Sequence, residues 1–232
     1  WQEAATNYKY ALSAGPSEQL RDLIYQGLGL AYLALDNPLE AKLTIDKISN
    51  PELRLFSQGT YYLKMKNSIE ALETFNLFIL NHPDSLFLAS AYLNKADILY
   101  EMGRLNDSYA VYKTILDTFS GPEYTKTLNR ARYGIAWCHL KMGKFSDAVE
   151  GFKSTLEGAD DLVVKVSSQI QIADAYQETK EYDKALEVYT NLLKNYPNTI
   201  YADYIQFQIG VVSLRKNDLE NALLALRNLK RN

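Results

Sequence analysis

Cysteine, histidine and unbroken apolar sequence are all scarce in this 232-residue chain, and each scarcity removes a class of function. The single Cys138 excludes an internal disulfide framework. Two histidines, His82 in a proline turn and His139 beside Cys138, are too few for a metal centre or a catalytic triad. Cys138 and His139 are sequence neighbours, so a helix points them to different faces. No apolar run approaches the roughly 18 residues of a membrane span. No glycine-rich phosphate loop is present, and a formal charge of −3 lacks the basic footprint of nucleic-acid binding. The expectation is a chain without enzymatic activity, cofactor or metal. It opens on Trp1-Gln2-Glu3 with no visible signal peptide, so it reads as a piece of a longer protein.

What is present is a repeat. Apolar residues make up 47% of the chain and 18 residues are tyrosine, enough to bury a large interior. The clearest unit is the stretch 181–197, where Ala185, Tyr189 and Leu192 fall on one helical face and Pro197 ends the run. The same skeleton has small-residue anchors at Ala4, Ala41, Ala71, Ser108, Ala148, Ala185 and Ala222, separated by 37, 30, 37, 40, 37 and 37 residues. A second helical pattern, with Gly or Ala one turn before a large side chain, precedes every anchor but the first. Small residues there let two helix backbones approach closely. Short turns such as Lys66-Asn67-Ser68, Gly103-Arg104 and Lys180-Glu181 make each helix pair antiparallel. Between units, Pro83 and Pro197 stop one helix while Asp-Ser or Asn-Thr caps the next, and Asp160-Asp161 opens another helix. About thirteen helices and no strand follow. Such pairs bury their apolar faces only by stacking on neighbours.

Gly or Ala then Tyr in the first helix, Tyr-x-x-Ala-x-x-x-Tyr in the second, then Pro, resembles the tetratricopeptide repeat, whose unit is about 34 residues. The likeness covers nearly the whole chain as one array: an unpaired second helix at 1–16, then repeats at 22–51, 52–88, 89–128, 129–165, 166–202 and 203–232. The resemblance implies an all-α, right-handed α–α superhelix. The longer inter-repeat segments at 81–89 and 195–202 resemble those of bacterial envelope proteins, such as the periplasmic Tol-associated coordinator and the barrel-assembly lipoprotein. A periplasmic or envelope location is therefore expected over a cytoplasmic one.

In that family the first helices line a concave groove, so the resemblance implies a protein or peptide partner held there. Candidate groove residues are Phe56, Lys64, Asp97, Tyr100, Glu101, Tyr133, Trp137, Lys141, Asp174, Glu178, Phe207 and Arg215. Aromatics recur among them, as in recognition hot spots, and charge alternates from repeat to repeat. The competing reading buries the aromatics between repeats and leaves the charges solvated. The clamp by which some such repeats hold a chaperone's C-terminal carboxylate is excluded, because Gln26, Leu30, Phe56, Thr60, Leu93 and Asp97 supply no cationic pair. Asn106-Asp107-Ser108 fits a glycosylation triplet, but Ser108 is a packing anchor. The short 30-residue spacing leaves a tight connection at Asn50-Pro51 and predicts a kink near 48–52; the 40-residue spacing inserts Ser120-Gly121-Pro122. The alternatives to a groove scaffold are self-association through exposed end repeats, favoured by the leucine-rich final helix, and a helical appendage of a larger protein.

Overall fold

The computed structural model describes residues 1–158 and 161–229, and among them it contains thirteen α-helices and no strand. One second helix, α1 (Gln2–Ser13), precedes six hairpins. These are α2 (Glu18–Ala34) with α3 (Pro38–Ile45), α4 (Pro51–Lys64) with α5 (Ser68–Asn81), and α6 (Leu88–Glu101) with α7 (Leu105–Thr118). They continue as α8 (Thr125–Lys141) with α9 (Phe145–Gly158), α10 (Leu162–Glu178) with α11 (Tyr182–Asn195), and α12 (Ala202–Arg215) with α13 (Leu219–Leu229). The chain divides into two compact units, Trp1–Phe119 and Ser120–Asn232. The division falls at the Ser120-Gly121-Pro122 insertion, where Gly121 has φ 111° and a single 3-10 turn spans Pro122–Tyr124.

Within each unit the anchors do what their spacing predicts. Ala41, Ala71, Ser108, Ala148 and Ala185 are fully buried, and Ala222 nearly so. In unit 1, Ala71, Phe75 and Phe78 of α5 meet Ala91 and Ile98 of α6. In unit 2, Ala185, Tyr189 and Leu192 of α11 lie between Val166, Ile170 and Ala173 of α10 and Ile205 and Val212 of α12. Each such large side chain contributes about 1.5–3 kcal/mol by leaving water. A Cβ on Gly59 would approach the Phe75 ring to 2.9 Å, and one on Gly29 would approach Ile45 to 2.8 Å, so glycine is what lets these hairpins close. Ser108 stands in for alanine because its hydroxyl donates to the Ala96 carbonyl across the hairpin at 2.8 Å. That buried bond, in the first turn of α7, removes the basis for reading Asn106–Ser108 as a glycosylation site. In α1 the deeply buried residue is Ala5 rather than Ala4: with α2 as its packing partner, this helix turns Ala5, Tyr8 and Leu12 inward.

All six turns within hairpins share one device. Asp36, Lys66, Gly103, Gly143, Lys180 and Asn217 have φ between +56° and +74°. Each gives its N–H to the carbonyl three residues back, and the next N–H reaches five back, as in Glu181 to Tyr176 at 2.8 Å. The tight connection after α3 is built differently. α3 has 8 residues where α5, α7, α9 and α11 have 14, and α4 lies against α2 as well as α3. Asp22, buried on α2, accepts the N–H groups of Ser49 and Asn50, each at 2.8 Å, and Asn50 in turn caps α4 through the Leu53 N–H. Asp161 caps α10 through the Val163 N–H at 2.7 Å, while Asp160 lies outside the described residues.

Candidate partner-binding face

The candidate groove residues lie on α4, α6, α8, α10 and α12, and the structure sorts them into three groups. The first group packs between helices. Phe56 is half-buried, stacked on Phe87 at 4.9 Å and edge-on to Phe78 at 5.4 Å. Tyr133 and Trp137 are half-buried and meet Phe152 edge-on at 5.8 and 5.6 Å. The Tyr133 hydroxyl and Ser167 Oγ are 3.1 Å apart, linking α8 to α10. Tyr100 is half-buried on α6. Phe207, in the column of Phe56 and Tyr133, is 48% exposed because no first helix follows α12 among the described residues.

The second group comprises the two aspartates. Asp97 accepts the Tyr112 hydroxyl at 2.5 Å. Asp174 accepts the Tyr189 hydroxyl from α11 and the Tyr204 hydroxyl from α12, the latter at 2.9 and 3.0 Å to its two oxygens. Burial pushes the Asp174 carboxyl above the ordinary carboxylate range; the two tyrosine bonds oppose that rise, and the Glu178 charge adds to it. Burial and the same carboxylate push Tyr204 up to about 12, and they raise Tyr189 further. These aspartates therefore hold repeat tyrosines in place, and Asp174 ties three helices together.

The third group is exposed: Lys64, Glu101, Lys141, Glu178 and Arg215, the last residues of α4, α6, α8, α10 and α12. They occupy one column of the repeat at a helix C-terminus, where backbone carbonyls leave partial negative charge. Lys64, Lys141 and Arg215 are what that end favours. Glu101 and Glu178 are not, and each costs its helix about 0.3–1 kcal/mol. Of the histidines, His82 is half-buried with its ring tilted on Phe78 at 5.3 Å, and His139 is half-buried on α8. Sequence reasoning missed Asp22 and Lys95. Nothing local in the sequence marks Asp22, since the N–H groups it binds lie 27 and 28 residues away. Lys95 was visible in principle, as the lysine in a column that holds Ile135, Ile172 and Ile209.

Stacked hairpins with a continuous first-helix face in each unit define an α-helical repeat protein. Two tetratricopeptide repeat models match residues 89–118 and 168–199, so these two stretches are similar to tetratricopeptide repeats. In sequence it is 25% identical over 175 residues to the BBSome complex member BBS4 homolog of Drosophila melanogaster, a match covering 75% of this chain. The chain spans about a third of the length of that relative, 35%. In structure it resembles apo RapI with a TM-score of 0.81 and 18% identity, covering 97% of this chain and 69% of the other. It also resembles PilW, a widely conserved type IV pilus biogenesis factor, with a TM-score of 0.72, 18% identity and coverage of 91% and 93%. At these identities the structural likenesses establish the fold.

Proposed function

We propose that this chain is a protein-interaction scaffold that holds a partner segment along its first-helix face. The observation that carries the reading is the pair Glu101 and Glu178. Both are exposed acids at helix C-termini, where they work against stability, and Glu178 additionally raises the carboxyl of Asp174 beside it. Within each unit, a partner segment bringing a basic group to that place repays the cost. In unit 2, Lys141 and Arg215 hold the same column on α8 and α12, so the partner there alternates in sign. Trp137 and Tyr133 offer half-buried aromatic surface on the same helix as Lys141. Asp97 and Asp174, already bonded to tyrosines, position the face and leave recognition to these neighbours.

The Drosophila relative is a complex member and PilW is a biogenesis factor. From both we carry over assembly of a multi-protein complex. The finer reading places that complex in a bacterial envelope, supported by the fold likeness to PilW and by the inter-repeat segments at 81–89 and 195–202. Among the described residues no helix is long and apolar enough to cross a membrane. Recovery of the chain only from the cytosol of its source would overturn the envelope placement. The second reading, self-association, draws on α13, where Leu219, Leu223 and Leu224 are each more than half exposed.

A photoreactive residue at position 140, between Trp137 and Lys141, should cross-link the partner for identification. With that partner purified, Glu101→Ala and Glu178→Ala are expected to weaken binding about ten-fold each, about 1.4 kcal/mol. The same variants should raise thermal stability slightly, the opposite sign from their effect on binding. Unchanged affinity in both variants would overturn the reading. Cross-linking to a second copy alone, lost in Leu223→Ser with Leu224→Ser, would establish self-association instead.

A further inference from the structure

The outer side of each unit carries a groove between successive second helices, floored by the first helix between them. In unit 2 it runs between α11 and α13 over α12, encloses about 400 Å³, and includes Leu186, Ile209 and Asn221. In unit 1 it runs between α5 and α7 over α6, encloses about 300 Å³, and holds Leu72, Lys95 and Asp107 in the same three columns. One architecture thus occurs in a neutral form and an ionic form. The fold does not require the ionic one, since isoleucine fills the column of Lys95 at Ile135, Ile172 and Ile209.

Lys95 is half-buried, and among the described residues no carboxylate lies within ion-pair distance of its amine. Asp107 is engaged by Arg104, whose Nε and Nη2 both reach its Oδ2 at 2.8 and 2.7 Å. Burial, and then the Arg104 charge, hold the Lys95 amine below the ordinary lysine range, while Asp107 partly opposes them. Two cations therefore share one carboxylate, and the one without a bond is the more deeply set. Leu72, Leu99 and Val111 line the groove around it. On α5 the apolar stripe continues to either side of Leu72, through Ile69 at 61% and Leu80 at 75% exposure. Arg104, Asp107 and Asn76 also line the groove, but Arg104 is committed to Asp107. The unbonded Lys95 amine beside these apolar side chains therefore fits one carboxylate carried between apolar groups, and the groove lacks the cluster of free donors that a phosphate takes.

We propose that the α5–α7 groove docks a partner protein segment that places an Asp or Glu carboxylate on Lys95 and its flanking apolar side chains along α5. This contact lies on the side opposite the first-helix face and goes beyond the scaffold reading above.

The test uses the whole chain, 15N-labelled, titrated with acetyl-Leu-Glu-Leu-amide and with its isostere acetyl-Leu-Gln-Leu-amide. The Glu peptide is expected to shift the amides of Leu72, Lys95 and Val111 saturably, with about ten-fold tighter binding than the Gln peptide. Added salt should weaken the Glu peptide alone. Lys95→Ile should abolish the difference while folding normally, because the column already accepts isoleucine, and Lys95→Arg should retain it. Four results would overturn the proposal: no shift in the groove, equal shifts from both peptides, undiminished binding to Lys95→Ile, or acetate binding as tightly as the Glu peptide.

Discussion

At the scale of single residues, the large side chain four places after each hairpin's anchor decides whether a carboxylate is needed fifteen positions earlier. Where that residue is tyrosine, at Tyr112 and Tyr189, the partner is Asp97 or Asp174. Where it is Ile45, Phe75, Phe152 or Leu226, the residue fifteen positions earlier is Leu30, Thr60, Trp137 or Val211, none of them a carboxylate. The reason is desolvation: a phenol hydroxyl taken from water needs an acceptor, and an aliphatic or phenyl group does not. Tyr189→Phe removes one of these bonds without opening a cavity. It is expected to cost about 1.5–3 kcal/mol in a denaturant titration, in the range for hydrogen bonds to charged groups. Asp174→Asn separates the acceptor from the charge. Because the folded protein raises this carboxyl above its ordinary value of 3.8, its contribution is fully present below that value and is lost as pH rises through the folded value. Melting temperatures of Asp174→Asn relative to the unaltered chain should therefore climb from acid to neutral pH. A variant melting temperature that falls relative to the unaltered chain over that interval would contradict the burial argument.

At the scale of elements, the hairpin turns carry strain in four of six repeats. Asp36, Lys66, Lys180 and Asn217 occupy left-handed backbone that Gly103 and Gly143 adopt freely. A side chain there costs about 1–2 kcal/mol, so Lys180→Gly should stabilise by about 1 kcal/mol. Gly143→Ala should destabilise comparably, although nothing lies within 4 Å of the added Cβ. Opposite signs in paired thermal melts check both. These turns, like the anchors, were legible in the sequence because six copies of one pattern constrain one another. Legibility fails where an element is unlike its copies. α1 has a single packing neighbour and rotates by a residue, so Ala5 is buried in place of Ala4. The short α3 needs a carboxylate from another helix, Asp22, to hold its exit, and periodicity carries no trace of such a bond. The candidate face falls on the first helix of each hairpin, but its columns do not play one part throughout. The column that holds Thr60 in one repeat holds a tyrosine partner in the next, at Asp97.

At the scale of the whole molecule, each hairpin packs on its sequence neighbours within its own unit, α4 on α5 and α5 on α6 in unit 1, α10 on α11 and α11 on α12 in unit 2. Stability in such an array is a sum of repeat terms and nearest-neighbour interfaces, so a local lesson stays local. The compact units divide between Phe119 and Ser120, and the mark of that division in the sequence is the long spacing from Ser108 to Ala148. Phe75→Ala tests how far a core defect reaches. Phe75 is fully buried within 5.9 Å of the Phe56 ring, and its truncation should cost about 3–5 kcal/mol locally. Hydrogen exchange should then accelerate in α4, α5 and α6, with α10, α11 and α12 keeping their protection. Equal acceleration in both sets of helices would mean that the chain unfolds as one cooperative body. The two docking faces would then be coupled, and a ligand on Lys95 would tighten the face that carries Glu178. Confined acceleration leaves each unit free to take its partner without reference to the other, as an assembly scaffold requires when its partners arrive separately.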